Sequence, residues 1–143
     1  MFKHIRITLL LGGVTIMFIA MGLAGCNRNP QDIEGVTWVL ESYGNPNSLK
    51  AALTETQVTA TFDKAGKRVG GSGGCNSYGA SYVIEGDQIT ISDVISTKKA
   101  CAPPIGTQES TYFQLLKDAR SFKLENNRLT IYSGNEVLNL TTK

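Results

Sequence analysis

The sequence predicts an α+β fold, namely a curved, barrel-like, mostly antiparallel sheet of about 7–8 strands with one helix. Short runs in which apolar and polar residues alternate recur along the chain, and turn residues separate them. Only the segment 108–119 carries apolar residues at helical spacing. We therefore expect a single α-helix packed against a strongly curved sheet.

Residues 1–25 have the pattern of a secretory signal peptide. Lys3, His4 and Arg6 precede a run of 19 uncharged residues, from Ile7 to Gly25. A run of this length could barely span a bilayer as a permanent anchor. It ends, however, in Leu23-Ala24-Gly25-Cys26, which resembles the lipobox of bacterial lipoproteins. The segment is therefore interpreted as a signal peptide that is removed before Cys26.

Cys26 is the predicted lipidation site, with residues 26–34 as a tether and residues 35–143 as one folded domain. The thiol would carry diacylglycerol, and two or more acyl chains such as palmitate hold a protein stably on a membrane. We expect a monomer in the bacterial cell envelope, lipid-anchored and facing outside the cytoplasm. Because Asn27 is not aspartate, the periplasmic face of the outer membrane is favoured where the bacterium has two membranes.

The first strands are predicted at 36–40 and 57–62, where alternation directs one face of each toward the core. The residues on those faces are Val36, Trp38, Leu40, Val58, Ala60 and Phe62. Residues 44–48 form a loop and residues 63–67 a hairpin turn into a strand at 68–70. Residues 49–53 fit no pattern clearly.

Five further strands are predicted after the glycine-rich stretch. Those at 81–84 and 88–91 flank the hairpin turn 85–87, and the other three lie at 122–125, 128–132 and 136–140. Pro103-Pro104 rules out regular strand pairing at that point of the chain.

The predicted helix covers 108–119, where Tyr112, Leu115, Leu116 and Ala119 recur at i, i+3, i+4 and i+7. Glu109 is expected in its first turn, and Lys117 and Arg120 near its last, where their charges favour the helix dipole.

Charge excludes nucleic acid as a partner. Lys3 and Arg6 are two of the 14 basic residues, so removal of residues 1–25 leaves 12 basic against 12 acidic residues. The basic residues are scattered, and a nucleic-acid footprint needs a basic stripe.

Cys75 and Cys101 remain once Cys26 is lipidated. In an exported protein such a pair is a candidate disulfide. Two free thiols or a soft-metal site are the alternatives, but a metal would need further ligands. The one histidine, His4, leaves with the signal peptide. We expect neither a metal nor a cofactor.

The glycine-rich run Val69–Gly79 does not match a phosphate-binding motif. A P-loop ends in Gly-Lys-Ser/Thr, whereas Gly74 is followed by Cys75. A dinucleotide fingerprint could begin at Gly71, but Asn76 occupies its third glycine position. The glycines are therefore interpreted as allowing positive φ angles or close backbone approach between strands.

No catalytic constellation stands out. Nucleophilic catalysis generally needs an adjacent base, and no histidine remains after residue 25. Candidate acid–base carboxylates lie at turns or strand ends, which favours solvated turn residues: Asp63, Glu85, Asp87 and Asp93. Aromatic residues that could line a groove are Trp38, Tyr43, Tyr78, Tyr82, Tyr112 and Tyr132. Trp38 is assigned to the core, and no enzyme is predicted.

The stretch Gly73–Tyr82, taken with Ser96–Cys101, resembles the META domain, also called HslJ-like, of bacterial envelope proteins. Other matching segments follow in the expected order: Gly35–Leu40, Val58–Phe62, Glu109 and Leu129–Ile131. The resemblance implies a compact α+β domain with a curved sheet and one helix, and no established catalytic residues. Members of the family are associated with envelope stress, drug tolerance, motility and secretion.

The first functional hypothesis is a non-enzymatic, lipid-anchored envelope protein that binds an unknown envelope protein or supports envelope integrity under stress. The binding residues are not assigned. A second hypothesis is a carrier or sensor of an apolar, lipid-like ligand in a cavity lined by Trp38, Phe62, Leu115 and Leu116. A third is an inhibitor of an exported hydrolase.

Overall fold

A computed structural model describes residues 33–142. The predicted signal peptide and the predicted lipidation site Cys26 lie outside the described residues. The strands are β1 (Thr37–Gly44), β2 (Lys50–Ala51), β3 (Thr59–Asp63), β4 (Arg68–Ser72), β5 (Ser77–Glu85), β6 (Gln88–Ser96), β7 (Ser121–Glu125), β8 (Arg128–Ser133) and β9 (Glu136–Thr142), and the helix is α1 (Ile105–Lys117). None of the helices in this range is long and apolar enough to cross a membrane.

All strand pairs in the sheet are antiparallel, and the sheet closes into a ring. Its order is β2-β1-β3-β4-β5-β6-β7-β8-β9, and β1 also pairs with β9. The described residues thus form nine strands, one more than the upper predicted number. The additional strand is β2, a two-residue strand in the segment that fitted no pattern.

The helix α1 closes one end of this ring. Strands β6 and β7 pair only at Gln88 and Ser121, so they separate beyond that point. The helix bonds to both sides of the ring: Gln108 Oε1 accepts from Leu53 N at 2.8 Å, and Ser133 Oγ donates to Leu115 O at 2.7 Å.

The helix begins at Ile105, directly after Pro104, and therefore three residues before the predicted start. The prediction that Glu109 lies in the first turn was wrong, because the apolar period marks only the part of the helix that packs on the core. Ala119 is buried but lies two residues beyond the helix.

The core fills the interior of the ring. All predicted core residues of the first two strands are buried except Val36, which is 38% exposed. Val36 was placed wrongly because β1 begins only at Thr37. Of the aromatic residues considered for a groove, Tyr132 is 39% exposed and the others are buried in the core.

The ring has two ends, which we name by what lies there. The N-terminal end carries Ile33 and the turns 64–67, 86–87 and 126–127. The helix end carries the loops 45–49, 73–76, 97–104 and 134–135. Strand pairing fixes this division, since Trp38 is opposite Thr142 and Thr142 N donates to Asn127 O.

Ile33 and Glu34, which the sequence pattern places in the tether, pack against the sheet. Ile33 is fully buried, and its carbonyl accepts from Trp38 Nε1 at 2.8 Å. Glu34 forms a parallel bridge with Phe62, and Tyr82 donates its phenol proton to the Glu34 carboxylate. The ordered domain therefore includes Ile33.

Candidate functional site

The loop 73–76 between β4 and β5 is a tight turn at the helix end. Gly73 N donates to Asn76 O at 2.7 Å, and Gly74 N donates to Ser72 Oγ at 3.1 Å. Gly74 has a φ of 107°, which a side chain would disfavour. The glycine-rich run therefore reverses the chain between two adjacent strands.

A buried carboxylate on α1 holds this loop. Glu109 Oε2 accepts from the backbone N–H groups of Cys75 and Asn76 at 3.1 and 2.6 Å. Glu109 Oε1 accepts from Asn76 Nδ2 at 2.7 Å. Both carboxylate oxygens are engaged, so the charge is balanced by N–H donors inside the domain.

Asn76 connects the same carboxylate to the segment that follows β6. Its Oδ1 accepts from Thr97 Oγ1 at 2.7 Å and from Lys99 N at 2.8 Å, and its Nδ2 donates to Lys99 O at 3.1 Å. The side-chain amide thus bonds to both backbone groups of Lys99, as a neighbouring strand would. The backbone of 97–99 is consequently fixed although it belongs to no strand.

Two glycines of the run allow close approach. A Cβ at Gly73 would lie 2.6 Å from Glu109 Oε2 and 2.6 Å from Phe113 Cζ. A Cβ at Gly71 would clash with the carbonyl oxygen of Thr59 on β3. The expectation of close backbone approach between strands is confirmed at Gly71, whereas Gly73 makes room for two side chains of α1.

Cys75 and Cys101 lie at disulfide distance, with their Cα atoms 6.4 Å apart and 26 residues of separation. Cys75 belongs to the loop that Glu109 holds, and Cys101 belongs to the irregular segment before α1. The bond therefore ties the segment 97–104 to a loop that is already anchored on the helix.

Two tyrosines bury their hydroxyl groups beneath the loop. The Tyr78 and Tyr112 oxygens are 2.7 Å apart, and Tyr78 donates to Thr59 O at 3.0 Å. Removal from water raises the pKa of Tyr78 and of Tyr112 well above the ordinary value, because a phenolate is poorly solvated there. Both phenols stay neutral and act as structural hydrogen-bonding groups.

The surface above this network is a ridge, residues 95–99, between two clefts. One cleft of about 470 Å³ is lined by Lys99, Cys101 and the start of α1. The other, of about 310 Å³, lies beside Tyr78, Gly79 and Ile95. Ile95 is 66% exposed, the highest value among the exposed large apolar side chains of residues 33–142.

The four turn carboxylates considered for acid–base chemistry lie at exposed positions. Asp63 accepts from Ala65 N and Gly66 N, as a turn residue does. Within residues 33–142 no group of three or more His, Cys, Asp or Glu side chains is arranged to hold a metal ion.

Sequence reasoning missed the role of Glu109 and Asn76. A signal was present, since Gln108, Glu109, Tyr112, Leu115 and Leu116 form one buried helical stripe. A carboxylate on such a stripe needs hydrogen-bond donors from another element. The identity of those donors depends on tertiary structure and could not be read from the helix.

The described residues thus define a class of protein: a ring of antiparallel strands closed by one helix, with a glycine loop locked onto that helix. The sequence matches the META domain family over residues 31–143. The chain belongs to the META domain family. A comparison with curated proteins found no match.

Solved structures share this fold at low sequence identity. A protein from Burkholderia xenovorans, solved by NMR, is 20% identical with a TM-score of 0.66, over 79% of this chain and 85% of that one. A second NMR structure is 21% identical with a TM-score of 0.62, over 80% and 94%. A DUF4847 family protein from Bacteroides vulgatus, solved by crystallography, is 12% identical with a TM-score of 0.55, over 79% and 96%.

Proposed function

We propose that this META-domain protein is a non-enzymatic, lipid-anchored component of the bacterial cell envelope that binds another envelope protein through the ridge 95–99. The observation that carries this proposal is the ridge itself, whose backbone is held by Asn76 and whose apolar side chain Ile95 is exposed.

The ridge is suited to binding because its conformation is set before a partner arrives. A preorganised surface loses less conformational entropy on association than a flexible loop. Ile95 offers an apolar side chain, 66% exposed, that a partner would bury on binding. Lys98 and Lys99 follow Ile95 by three and four positions in the sequence, and neither forms an ion pair among the described residues. A partner with an apolar pocket and acidic side chains around it would complement this surface.

Lipid attachment at Cys26 supports the same function. A protein held on a membrane meets other membrane-bound proteins at a high effective concentration, so a modest interface suffices. The periplasmic face of the outer membrane is the proposed location where the bacterium has two membranes. We propose support of envelope integrity under stress as the biological role.

A photo-crosslinking amino acid introduced at Ile95 tests the interface in intact cells. Val83 is the matched control because it is 57% exposed on β5 but lies near the N-terminal end. We expect a discrete protein adduct from position 95 that position 83 does not yield, and its loss when Lys98 and Lys99 are both replaced by glutamate. The same adducts from both positions, or none from position 95, would contradict the proposed interface.

The carrier hypothesis has less support. Its proposed cavity residues, Trp38, Phe62, Leu115 and Leu116, are at most 3% exposed and belong to one packed core cluster. Lipid that co-purifies with the protein and is detected by mass spectrometry would support the carrier hypothesis. The inhibitor hypothesis differs from the main proposal in the class of partner, and the identity of the crosslinked protein would separate them.

A further inference from the structure

We propose that the N-terminal end of the ring faces the lipid bilayer and that the helix end, with the ridge 95–99, points away from it. The inference rests on the proposed lipid attachment at Cys26. It goes beyond that proposal because it assigns a membrane-facing surface to the folded domain itself.

The ordered domain begins close to the attachment point. Trp38 Nε1 donates to the Ile33 carbonyl, Gly35 N donates to Phe62 O at 3.0 Å, and Glu34 accepts from Tyr82 and Lys67. Ile33 and Glu34 are therefore part of the rigid body of the domain, and the connection to the anchor ends at Ile33.

The remaining connection is short. Seven residue steps separate Cys26 from Ile33, and a chain of that length spans at most about 25 Å even when fully extended. Ile33 must therefore stay within about 25 Å of the lipid attachment point, in any arrangement of the connection. If the helix end faced the membrane, the ring would lie between Ile33 and the bilayer. The connection from Cys26 would then have to run along the ring, which would use most of its length.

The surface of the N-terminal end is compatible with lipid headgroups. Its turns expose Lys64, Lys67, Asp63 and Asp87, so charges of both signs are present. Val36, 38% exposed, also lies at this end. Because neither sign dominates, the short tether would set the orientation, and the orientation should persist on vesicles of zwitterionic lipid.

The hairpin strands provide a matched pair of reporter positions. Asn127 and Asn135 are both exposed asparagines in turns, and they lie at opposite ends of β8, whose six residues span about 20 Å. Each is replaced in turn by cysteine in lipidated, oxidised protein and labelled with a fluorescent donor. The protein is then bound to phosphatidylcholine vesicles that carry acceptor-labelled headgroups.

We expect a clearly greater loss of donor emission at position 127 than at position 135, since the two lie about 20 Å apart along the strand. A flexible insert of 20 Gly and Ser residues between Pro30 and Gln31 is the control. Such an insert adds a root-mean-square length of about 25 Å and should remove most of the difference between the two positions.

Intact mass and vesicle binding are measured first on the same samples. Lipidated, vesicle-bound protein with equal loss at both positions, or with more loss at position 135, overturns the orientation while leaving the anchor intact. Protein without lipid that stays in solution overturns the anchor and the orientation together. Greater loss at position 127 that the insert abolishes supports both.

Discussion

Replacing Glu109 with glutamine tests whether the buried carboxylate holds the glycine loop. The substitution keeps the size of the side chain but removes its charge and changes one acceptor oxygen into an NH₂ group. In the native domain the two oxygens accept three hydrogen bonds, from Cys75 N, Asn76 N and Asn76 Nδ2. A glutamine can keep the two backbone bonds, but its NH₂ then faces the NH₂ of Asn76.

Asn76 cannot resolve this conflict by turning its amide over. Its oxygen already accepts from Thr97 Oγ1 and Lys99 N, and after a flip the Lys99 N–H would face an NH₂ group. Hydrogen bonds to a charged group contribute about 1.5–3 kcal/mol, and a buried donor without a partner costs about 1–3 kcal/mol. One lost bond and two weakened ones predict a loss of about 3 kcal/mol in the free energy of unfolding.

Urea unfolding of oxidised protein measures the loss, followed by far-UV circular dichroism and by the fluorescence of the single tryptophan, Trp38. The unfolding midpoint should fall by about 2 M with little change in the urea dependence. Glu125→Gln is the control, because Glu125 is exposed and its one ion pair within residues 33–142 is with exposed Lys123. A midpoint for Glu109→Gln within experimental error of this control would refute the reasoning.

A second substitution tests whether the side chains of residues 76 and 109 interact directly. In Asn76→Asp with Glu109→Gln, the introduced carboxylate accepts from the introduced NH₂ and still accepts from Thr97 and Lys99 N. Asn76→Asp alone places two carboxylates against each other. The double variant is therefore expected to be more stable than the sum of the two single changes predicts, by at least about 1 kcal/mol. Strict additivity would show that the two side chains do not interact.

Three further predictions concern the residues around the loop. Because burial raises the pKa of Tyr112 above 10.0, its neutral phenol stabilises the fold fully below about pH 10, and above that pH its contribution falls by about 1.4 kcal/mol per pH unit. The pKa values of Tyr78 and Tyr82 are raised as well, so Tyr112→Phe should make the fall of stability between pH 10 and 11.5 less steep by about 1.4 kcal/mol per pH unit in urea titrations. An unchanged slope would contradict this reasoning. Gly71→Ala should lower the thermal unfolding midpoint far more than Gly79→Ala, since only the first adds a Cβ against a backbone carbonyl. Similar midpoints for the two variants would exclude the close approach of Gly71 to Thr59. The double change Cys75→Ser/Cys101→Ser should cost about 3.5 kcal/mol in urea unfolding for a loop of 26 residues. The side-chain NH₂ signals of Asn76 should shift, since this group lies 3.5 Å from Cys75 Sγ, but they should remain resolved. Loss of those signals would mean that the disulfide, not Glu109, holds the loop.

Local sequence pattern predicted most strands because each presents one face to the core. Val58, Ala60 and Phe62 alternate with polar residues and are all buried. The two-residue β2 has no alternation to detect. The pairing of β1 with β9 joins residues about a hundred positions apart, such as Leu40 with Leu140, and short-range patterns carry no information on such contacts.

The candidate site was predicted less well than the fold. The pairing of Cys75 with Cys101 follows from counting cysteines, and the glycines indicated close approach. Neither the cysteine count nor the glycine run indicated the importance of Glu109 and Asn76. The bonds that join Asn76 to Glu109 and to Lys99 link residues more than 20 positions apart in sequence, so the roles of these side chains depend on how α1 packs across the end of the ring.

The hydrogen bonds of Glu109 and Asn76 also link the ridge 95–99 to the helix. Asn76 bonds to Glu109 on α1 and to Lys99 on the ridge, so the ridge backbone follows the position of the helix. That position in turn depends on Tyr112 and Leu116, which are fully buried in the core. A core substitution that shifts α1 would therefore weaken the proposed binding at the ridge without touching a partner. Ile95 takes no part in that network and its side chain is 66% exposed, so a substitution there tests the proposed interface with little effect on the position of α1.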